Sequence, residues 1–253
     1  MTATRGFGID IGGSGIKGGL VDLEKGALIG DRLRIDTPRP STPEAVAEVV
    51  AKVVHHFDWD GPVGITLPAV IKKGVAQTAA NIDPQWIGTD ADALFADVLG
   101  RSVDDIAMLN DADAAGMAEI RFGDPIARHG VTTLLTFGTG IGSAVFQDGK
   151  LVPNTEFGHL EVDGHDAEKK AAASVKDTEG LSYPHWAKRV SRYLTVLENL
   201  IWPDLFIVGG GVSKKSEKWV PLLEIRTKVV VASLQNNAGI VGAAAAAVEG
   251  IEH

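Results

Sequence analysis

Apolar and polar positions along the chain repeat one arrangement twice. Residues 6–11 (GFGIDI) form a short apolar run that predicts a strand, 12–15 are glycine-rich, and 16–23 (IKGGLVDL) predict its hairpin partner. Lys25-Gly26 is a turn signal, after which 28–35 predict a third strand. Ser41 and Glu44 fit a capping box with Pro43 in the first turn, and Val46, Val49, Val50, Val53 and Val54 keep helical spacing as far as His55. Further on, 62–70 predict a strand paired across Lys72-Lys73-Gly74 with 75–80, and 92–99 predict a helix. A strand at 106–109 delivers Asn110-Asp111 at its C-terminal end, ahead of a small-residue helix over 112–122.

The second half restarts the pattern: strand 131–137, glycine loop 138–142, strand 143–146, turn Asp148-Gly149, strand 150–152. This repetition predicts an α/β protein of two related lobes facing each other across a cleft. The lobes are expected at 1–111, joined by a C-terminal helix over 238–253, and at 112–237. Between them fall a helical pattern over 167–200 and a strand at 205–208 that runs into Gly209-Gly210-Gly211. The stretch 238–249 (AGIVGAAAAAVE) predicts a helix suited to close packing.

Composition narrows the function classes. The 253 residues carry 24 Lys+Arg against 33 Asp+Glu, a net charge of −9, which argues against non-specific nucleic-acid binding. Zero Cys excludes disulfides, a thiol nucleophile and thiolate-bound zinc or iron–sulfur centres. No apolar run approaches the roughly 20 residues that span a bilayer, and Met1 to Gly8 lacks a basic region followed by an apolar one. A cytoplasmic protein without membrane partners is the expectation.

Three glycine loops stand out. Gly13-Ser14-Gly15-Ile16-Lys17-Gly18 matches the dinucleotide fingerprint in letters, but a strand follows it where that fingerprint requires a helix. The better reading is a phosphate hairpin, in which glycines let backbone N–H groups approach anionic oxygens and Asp10 orients hydrated Mg²⁺. A plain tight turn is the alternative. Gly138-Thr139-Gly140-Ile141-Gly142 has the same form, and Gly209-Gly210-Gly211 is followed by Val212-Ser213-Lys214-Lys215.

Asp111 stands where open α/β sheets present their chemistry and could accept the proton of an attacking sugar hydroxyl, with Asn110 bonding a neighbouring one. Alternatively, Asp111 or Asp113 caps the following helix. Glu156-Phe157-Gly158-His159, followed by Glu161, Asp163, His165 and Glu168, offers paired acceptors for vicinal hydroxyls. The competing reading is a zinc cluster around His159 and His165, disfavoured by the absence of cysteine and of HExxH spacing. The run 169–192 holds Lys169, Lys170, Lys176, Lys188, Arg189 and Arg192 against Asp177 and Glu179. It is either a solvated helix face or part of a channel for a polyanion.

Asp10-Ile11-Gly12-Gly13-Ser14-Gly15-Ile16-Lys17, Leu109-Asn110-Asp111-Ala112-Asp113, Thr136 to Gly142, Glu156 to His159 and Gly209 to Ser213 resemble the ROK sugar kinases over nearly the whole chain. Within that family, Thr78 to Asp83 with Trp86 to Thr89, Leu160 to Glu168 and Val208 to Lys215 resemble the polyphosphate glucokinase group, which includes the polyphosphate/ATP glucomannokinases. The resemblance implies the actin-like/hexokinase (ribonuclease H-like) fold and transfer of a phosphoryl group to the 6-hydroxyl of glucose. Inorganic polyphosphate is the implied donor, with ATP and mannose as further candidate substrates. It implies Asp111 as general base and Asn110, Asp111, Glu156, His159 and Glu168 as sugar ligands. The phosphate-binding set is expected at Asp10, Gly12, Gly13, Ser14, Gly15, Lys17, Gly138, Thr139, Gly140, Gly210, Gly211, Lys214 and Lys215, with Mg²⁺ held near Asp10 through water.

Many relatives carry a cysteine-rich zinc motif after the histidine; this chain has none, so no zinc is expected. The family's repressors carry an N-terminal helix-turn-helix, for which the stretch before Asp10 leaves no room. A homodimer is the expected assembly. The rival readings are a strictly ATP-dependent ROK glucokinase and a non-catalytic sugar-binding regulator.

Overall fold

The computed structural model describes residues 4–249, which divide into two compact units, 4–118 with 237–249 and 119–236. In the first unit, β1 (Arg5–Gly12) and β2 (Gly15–Asp22) make the expected hairpin, with Asp10 opposite Lys17. The predicted third strand is instead two short ones, β3 (Ala27–Leu28) and β4 (Leu33–Ile35), both paired to β2. The chain loops out between them because Gly30 takes a left-handed conformation, φ +75°.

Helix α1 (Pro43–His56) buries Val46, Val49, Val50, Val53 and Val54 as the spacing predicts. Its cap is Thr42 rather than Ser41: the Thr42 hydroxyl accepts from the Ala45 amide, and Ser41 Oγ accepts from the Asp83 amide. Strand β5 (Val63–Leu67) is fully buried, and the hairpin expected between 62–70 and 75–80 is confined to β6 (Ile71–Lys72) and β7 (Val75–Ala76). Helix α2 (Ala91–Leu99), strand β8 (Ile106–Asn110) and helix α3 (Asp111–Phe122) follow, and the division between units falls inside α3.

The second unit opens with β9 (Val131–Phe137), β10 (Ile141–Gln147) and β11 (Lys150–Val152). A small hairpin, β12 (Glu161–Val162) with β13 (His165–Asp166), precedes the helical stretch. That stretch is three helices rather than one pattern: α4 (Glu168–Ala171), α5 (Ala173–Thr178) and α6 (Tyr183–Ile201). The first break is at Ala172, extended at ψ 153°, where the buried Trp186 Nε1 donates to the carbonyls of Ala171 and Ala172. The second is at Gly180, φ +63°, after which Ser182 caps α6. Strands β14 (Leu205–Gly209) and β15 (Lys228–Val231) complete the sheet.

The two sheets repeat one topology. In the first, β2 is antiparallel to β1, and β5 and β8 add in parallel; in the second, β10, β9, β14 and β15 do the same in that order. The chain then returns to the first unit with α7 (Ala238–Glu249); positions 250–253 of the expected helix lie outside the described residues. Helix α7 lies directly on the sheet, since a side chain at Gly8 would overlap the Ile240 carbonyl and one at Gly64 the Ala243 carbonyl. Among the described residues no helix is long and apolar enough to cross a membrane.

Candidate active site

In the first unit the sheet ends at two clusters. At the tip of β1, Lys17 Nζ lies 3.0 Å from Asp10 Oδ2, and the fully buried Thr66 hydroxyl donates to Asp10 Oδ1 at 3.2 Å. The start of α7 comes up beside this carboxylate, with the Gly239 backbone close enough that a Cβ there would sit 3.3 Å from Asp10. The turn at Gly13-Ser14 is fixed from outside: Arg34 donates to the Ser14 carbonyl at 2.8 Å and the Thr37 hydroxyl to the Gly12 carbonyl at 2.5 Å. Gly13 itself is pressed against the Asn81 carbonyl, where a Cβ would come within 2.8 Å.

The second cluster is at the end of β8. Asn110 is buried and its side chain is employed in the turn: Nδ2 donates to the Ala69 carbonyl at 3.1 Å, and Oδ1 accepts from the amides of Ala112 at 2.8 Å and Asp113 at 3.2 Å. Asn110 therefore caps α3, a role worth about 1 kcal/mol. Asp111, half-buried, is oriented by the Ala112 amide, 2.8 Å from its Oδ1. A carboxylate at the first position of a helix, at the C-terminal end of a parallel strand, is stabilised in its ionised, proton-accepting form.

The second unit carries a loop of the same form. Gly138 N–H donates to the Gly140 carbonyl at 2.9 Å, so that amide is already used; Thr139 and Gly140 keep their amides available among the described residues. Ser174 pins the loop through its amide to the Gly138 carbonyl at 3.0 Å and its hydroxyl to the Thr139 carbonyl at 2.7 Å. Glu168 Oε2 accepts from the Ile141 amide at 3.1 Å and lies where a side chain on Gly140 would be. Gly210, at φ +84°, passes close to the Phe137 carbonyl, so the third glycine loop meets the second. A cavity of about 390 Å³ opens there, lined by Gly138, Ser174, Lys176, Tyr183, Gly211 and Lys215. Lys214 is exposed outside it.

Three carboxylates gather at His159. Its Nδ1 is 3.1 Å from Asp166 Oδ2 and 3.9 Å from Glu168 Oε1, and its Nε2 is 3.9 Å from Glu156 Oε2. The hydrogen bond to Asp166 leads in raising the imidazole pKa above its ordinary value, with the other carboxylates adding to it. Partial burial raises the Glu156 carboxyl, against the pull of His159. The backbone under them is tight: Ser143 Oγ accepts from the Phe157 amide at 2.9 Å, and Tyr193, buried and held protonated by that burial, donates to the Phe157 carbonyl at 3.1 Å. His159, Asp166 and Glu168 bring one ligand atom each within 4.8 Å of the others. His165 stands outside that trio, its Nδ1 donating to the Asp163 carbonyl at 2.9 Å, so the zinc pairing of the two histidines does not form.

A family model described as the ROK family matches residues 6–174. The chain belongs to the ROK family. Among its relatives, polyphosphate glucokinase from Mycobacterium tuberculosis (strain CDC 1551 / Oshkosh) is 59% identical over 253 residues, all of this chain and 94% of the relative. The crystal structure of inorganic polyphosphate/ATP-glucomannokinase from Arthrobacter sp. strain KM superposes with a TM-score of 0.92 at 50% identity, covering 98% of this chain and 99% of that one. A ROK family glucokinase from Streptomyces griseus in complex with glucose and AMPPNP gives 0.82 at 25%, covering 97% and 100%. The expected actin-like/hexokinase α/β fold is borne out.

Four residues of this ROK chain that sequence reasoning did not single out for the site hold its parts: Arg34, Thr66, Asp166 and Tyr183. Asp166 alone left a signal, its place among the acids after His159. The basic run also divides, because Lys176 faces the cavity at the glycine loops whereas Lys188 and Arg189 line a different one.

Proposed function

We propose that this ROK protein transfers a phosphoryl group from inorganic polyphosphate to the 6-hydroxyl of glucose, giving glucose 6-phosphate. One observation carries the reading: the end-to-end match, at 59% identity, to a protein named polyphosphate glucokinase. The site geometry supports the roles. Asp111, oriented by the Ala112 amide, accepts the proton of the attacking hydroxyl. Glu156, His159 and Glu168 hold sugar hydroxyls. Asn110 acts chiefly by fixing the β8–α3 turn, with its second Nδ2 hydrogen left for a hydroxyl.

Donor oxygens are bound by the amides of Gly13 and Ser14 in one hairpin and by Thr139 and Gly140 in the other, with Lys17 and Lys215 nearby. Gly12, Gly15, Gly138, Gly210 and Gly211 shape these loops, and Lys214 contributes only long-range charge. The Asp10 carboxylate fits a hydrated Mg²⁺: it has one cationic and one hydroxyl neighbour and still has lone pairs for metal-bound water. Bound there, Mg²⁺ neutralises charge on the transferring phosphate. Mannose is proposed as a second acceptor, ATP as a second donor, and the enzyme as a cytoplasmic homodimer.

The strictly ATP-dependent reading has one observation in its favour, the Tyr183 ring in the cavity, an aromatic surface against which a base could stack. Lys176 Nζ already lies 4.7 Å from that ring and Lys218 Nζ 5.8 Å, while Lys176 is also paired with Asp177 at 2.7 Å. Measuring glucose 6-phosphate formation separately with polyphosphate and with ATP tests the choice. Turnover with ATP alone would overturn the donor assignment, and binding of glucose without turnover with either would favour a sugar-binding regulator.

A further inference from the structure

A second cavity in the same unit, of about 440 Å³, lies among the β12–β13 hairpin, α4 and α6. Its floor is apolar, including Ala167 and Tyr193, and four cations line it: Lys170 from α4 and Lys188, Arg189 and Arg192 from α6. Two of these are paired. Arg192 grips Asp163 with both arms at 2.6 and 2.9 Å, and Arg189 reaches Glu179 at 2.7 Å. The ammonium groups of Lys170 and Lys188 have no acid within ion-pair distance among the described residues. In a chain of net charge −9, two unpaired lysines converging on one concavity with two guanidinium groups make a local field that attracts anions.

The arrangement favours a repeating anion over a single one. Lys188 and Arg192 are one helical turn apart and Arg189 lies beside them, a row of positive charge along α6. The row also continues toward the glycine loops: Lys170 and Ala171 line this cavity, and Ala173, Ser174 and Lys176 line the one beside Gly138. One short segment thus separates the two.

We propose that the α4–α6 cavity is a second anion site that holds a stretch of the inorganic polyphosphate chain away from the point of transfer. The anion site rests on the geometry above; the choice of polyphosphate as its ligand rests on the donor reading. Such a site would favour long donors, because a short one fills the glycine-loop cavity without reaching Lys170.

The test uses the double variant Lys170→Ala/Lys188→Ala, at two exposed positions outside the proposed catalytic and sugar-binding groups. Binding of long-chain polyphosphate and of glucose 6-phosphate is measured for both proteins at low and high salt, with steady-state KM for long-chain polyphosphate and for tripolyphosphate. Removing two screened charge-assisted contacts should weaken long-chain binding roughly tenfold at low salt and raise its KM alike. The KM for tripolyphosphate, the KM for glucose and kcat should stay unchanged, and high salt should erase the difference. Equal long-chain binding by both proteins would overturn the proposal. So would a variant that loses glucose 6-phosphate binding alone, which would give the cavity to the product. Should the wild type make no glucose 6-phosphate from any polyphosphate while the variant still binds the long chain more weakly, the donor reading fails and the anion site stands.

Discussion

The β1–β2 and β9–β10 hairpins occupy the same place in two sheets of the same topology, yet they are held by opposite charges. A guanidinium secures the first, Arg34 donating to the Ser14 carbonyl. A carboxylate secures the second, Glu168 accepting from the Ile141 amide, and Glu168 is also a proposed sugar ligand. The first loop is therefore tied to Arg34, Thr37 and Asn81, none of them a proposed sugar ligand, whereas the second shares a residue with the cluster around His159. Duplication conserved the scaffold, and the functional difference lies in what pins each turn. The strands following each hairpin differ too: β8 ends in Asn110-Asp111, while its counterpart β15 runs into Ala232-Ser233, with no carboxylate.

The largest test of this asymmetry is at those strand ends. Asp111→Asn keeps the shape but cannot accept the hydroxyl proton, and should lower kcat by ~10²–10⁴ with folding intact. Ser233→Ala, at the corresponding end, removes only a bond to Glu119 and should leave kcat within a few fold. Comparable losses in both would break the contrast.

The next test separates the pins. Glu168→Gln should raise the KM for glucose about tenfold and that for the donor less, since a charged hydrogen-bond partner contributes roughly 1.5–3 kcal/mol. Arg34→Ala should raise the donor KM and leave that for glucose unchanged. Equal effects on both substrates in each variant would mean the hairpins are interchangeable.

A pH series sharpens the role of His159. Because its folded pKa is raised, its contribution to stability is complete below the ordinary imidazole value of about 6.5 and is lost as pH rises through the higher folded value. Glucose KM should rise over the same interval, and Asp166→Asn should move the midpoint, followed by NMR titration, back toward the ordinary value. A midpoint unchanged by that substitution would remove Asp166 from the cluster.

The smallest effect concerns stability in the first unit. Burial, with Asp90 adding, raises the Asp92 carboxyl to about 6, so stability falls as pH climbs from the unfolded value near 4 through 6. Asp92→Asn should stabilise the protein by about 1 kcal/mol at pH 7, after allowance for solvent access, and by almost nothing at pH 4. Denaturant midpoints at the two pH values check it.

Periodicity was a good guide wherever local patterning decides structure. The valine stripe of α1, the strands bordering each glycine loop and the start of α7 were all legible in the chain. Patterning misled where a distant group intervened, as at Ala172, whose carbonyl is claimed by a tryptophan fourteen residues on, and at Thr42, which caps α1 because Ser41 serves Asp83. The proposed site residues stand out because acids, glycines and histidine cluster in short motifs. Their supports do not: Arg34, Thr66 and Tyr183 sit in ordinary stretches and acquire their role only through folding. Asn110 shows the reverse, a motif residue whose side chain turns out to be committed largely to a helix cap.

Helix α7, seated on Gly8 and Gly64, has a consequence for biosynthesis. The strand it covers leaves the ribosome about 230 residues before the helix does, an interval on the order of 10–45 s at ordinary elongation rates. Through that time β1 and β5 have no lid, and the first unit cannot be completed, while every residue of the second is already available to fold. The nascent chain should thus mature in reverse of its sequence order, second unit first, and it is the early half that should need shelter from aggregation.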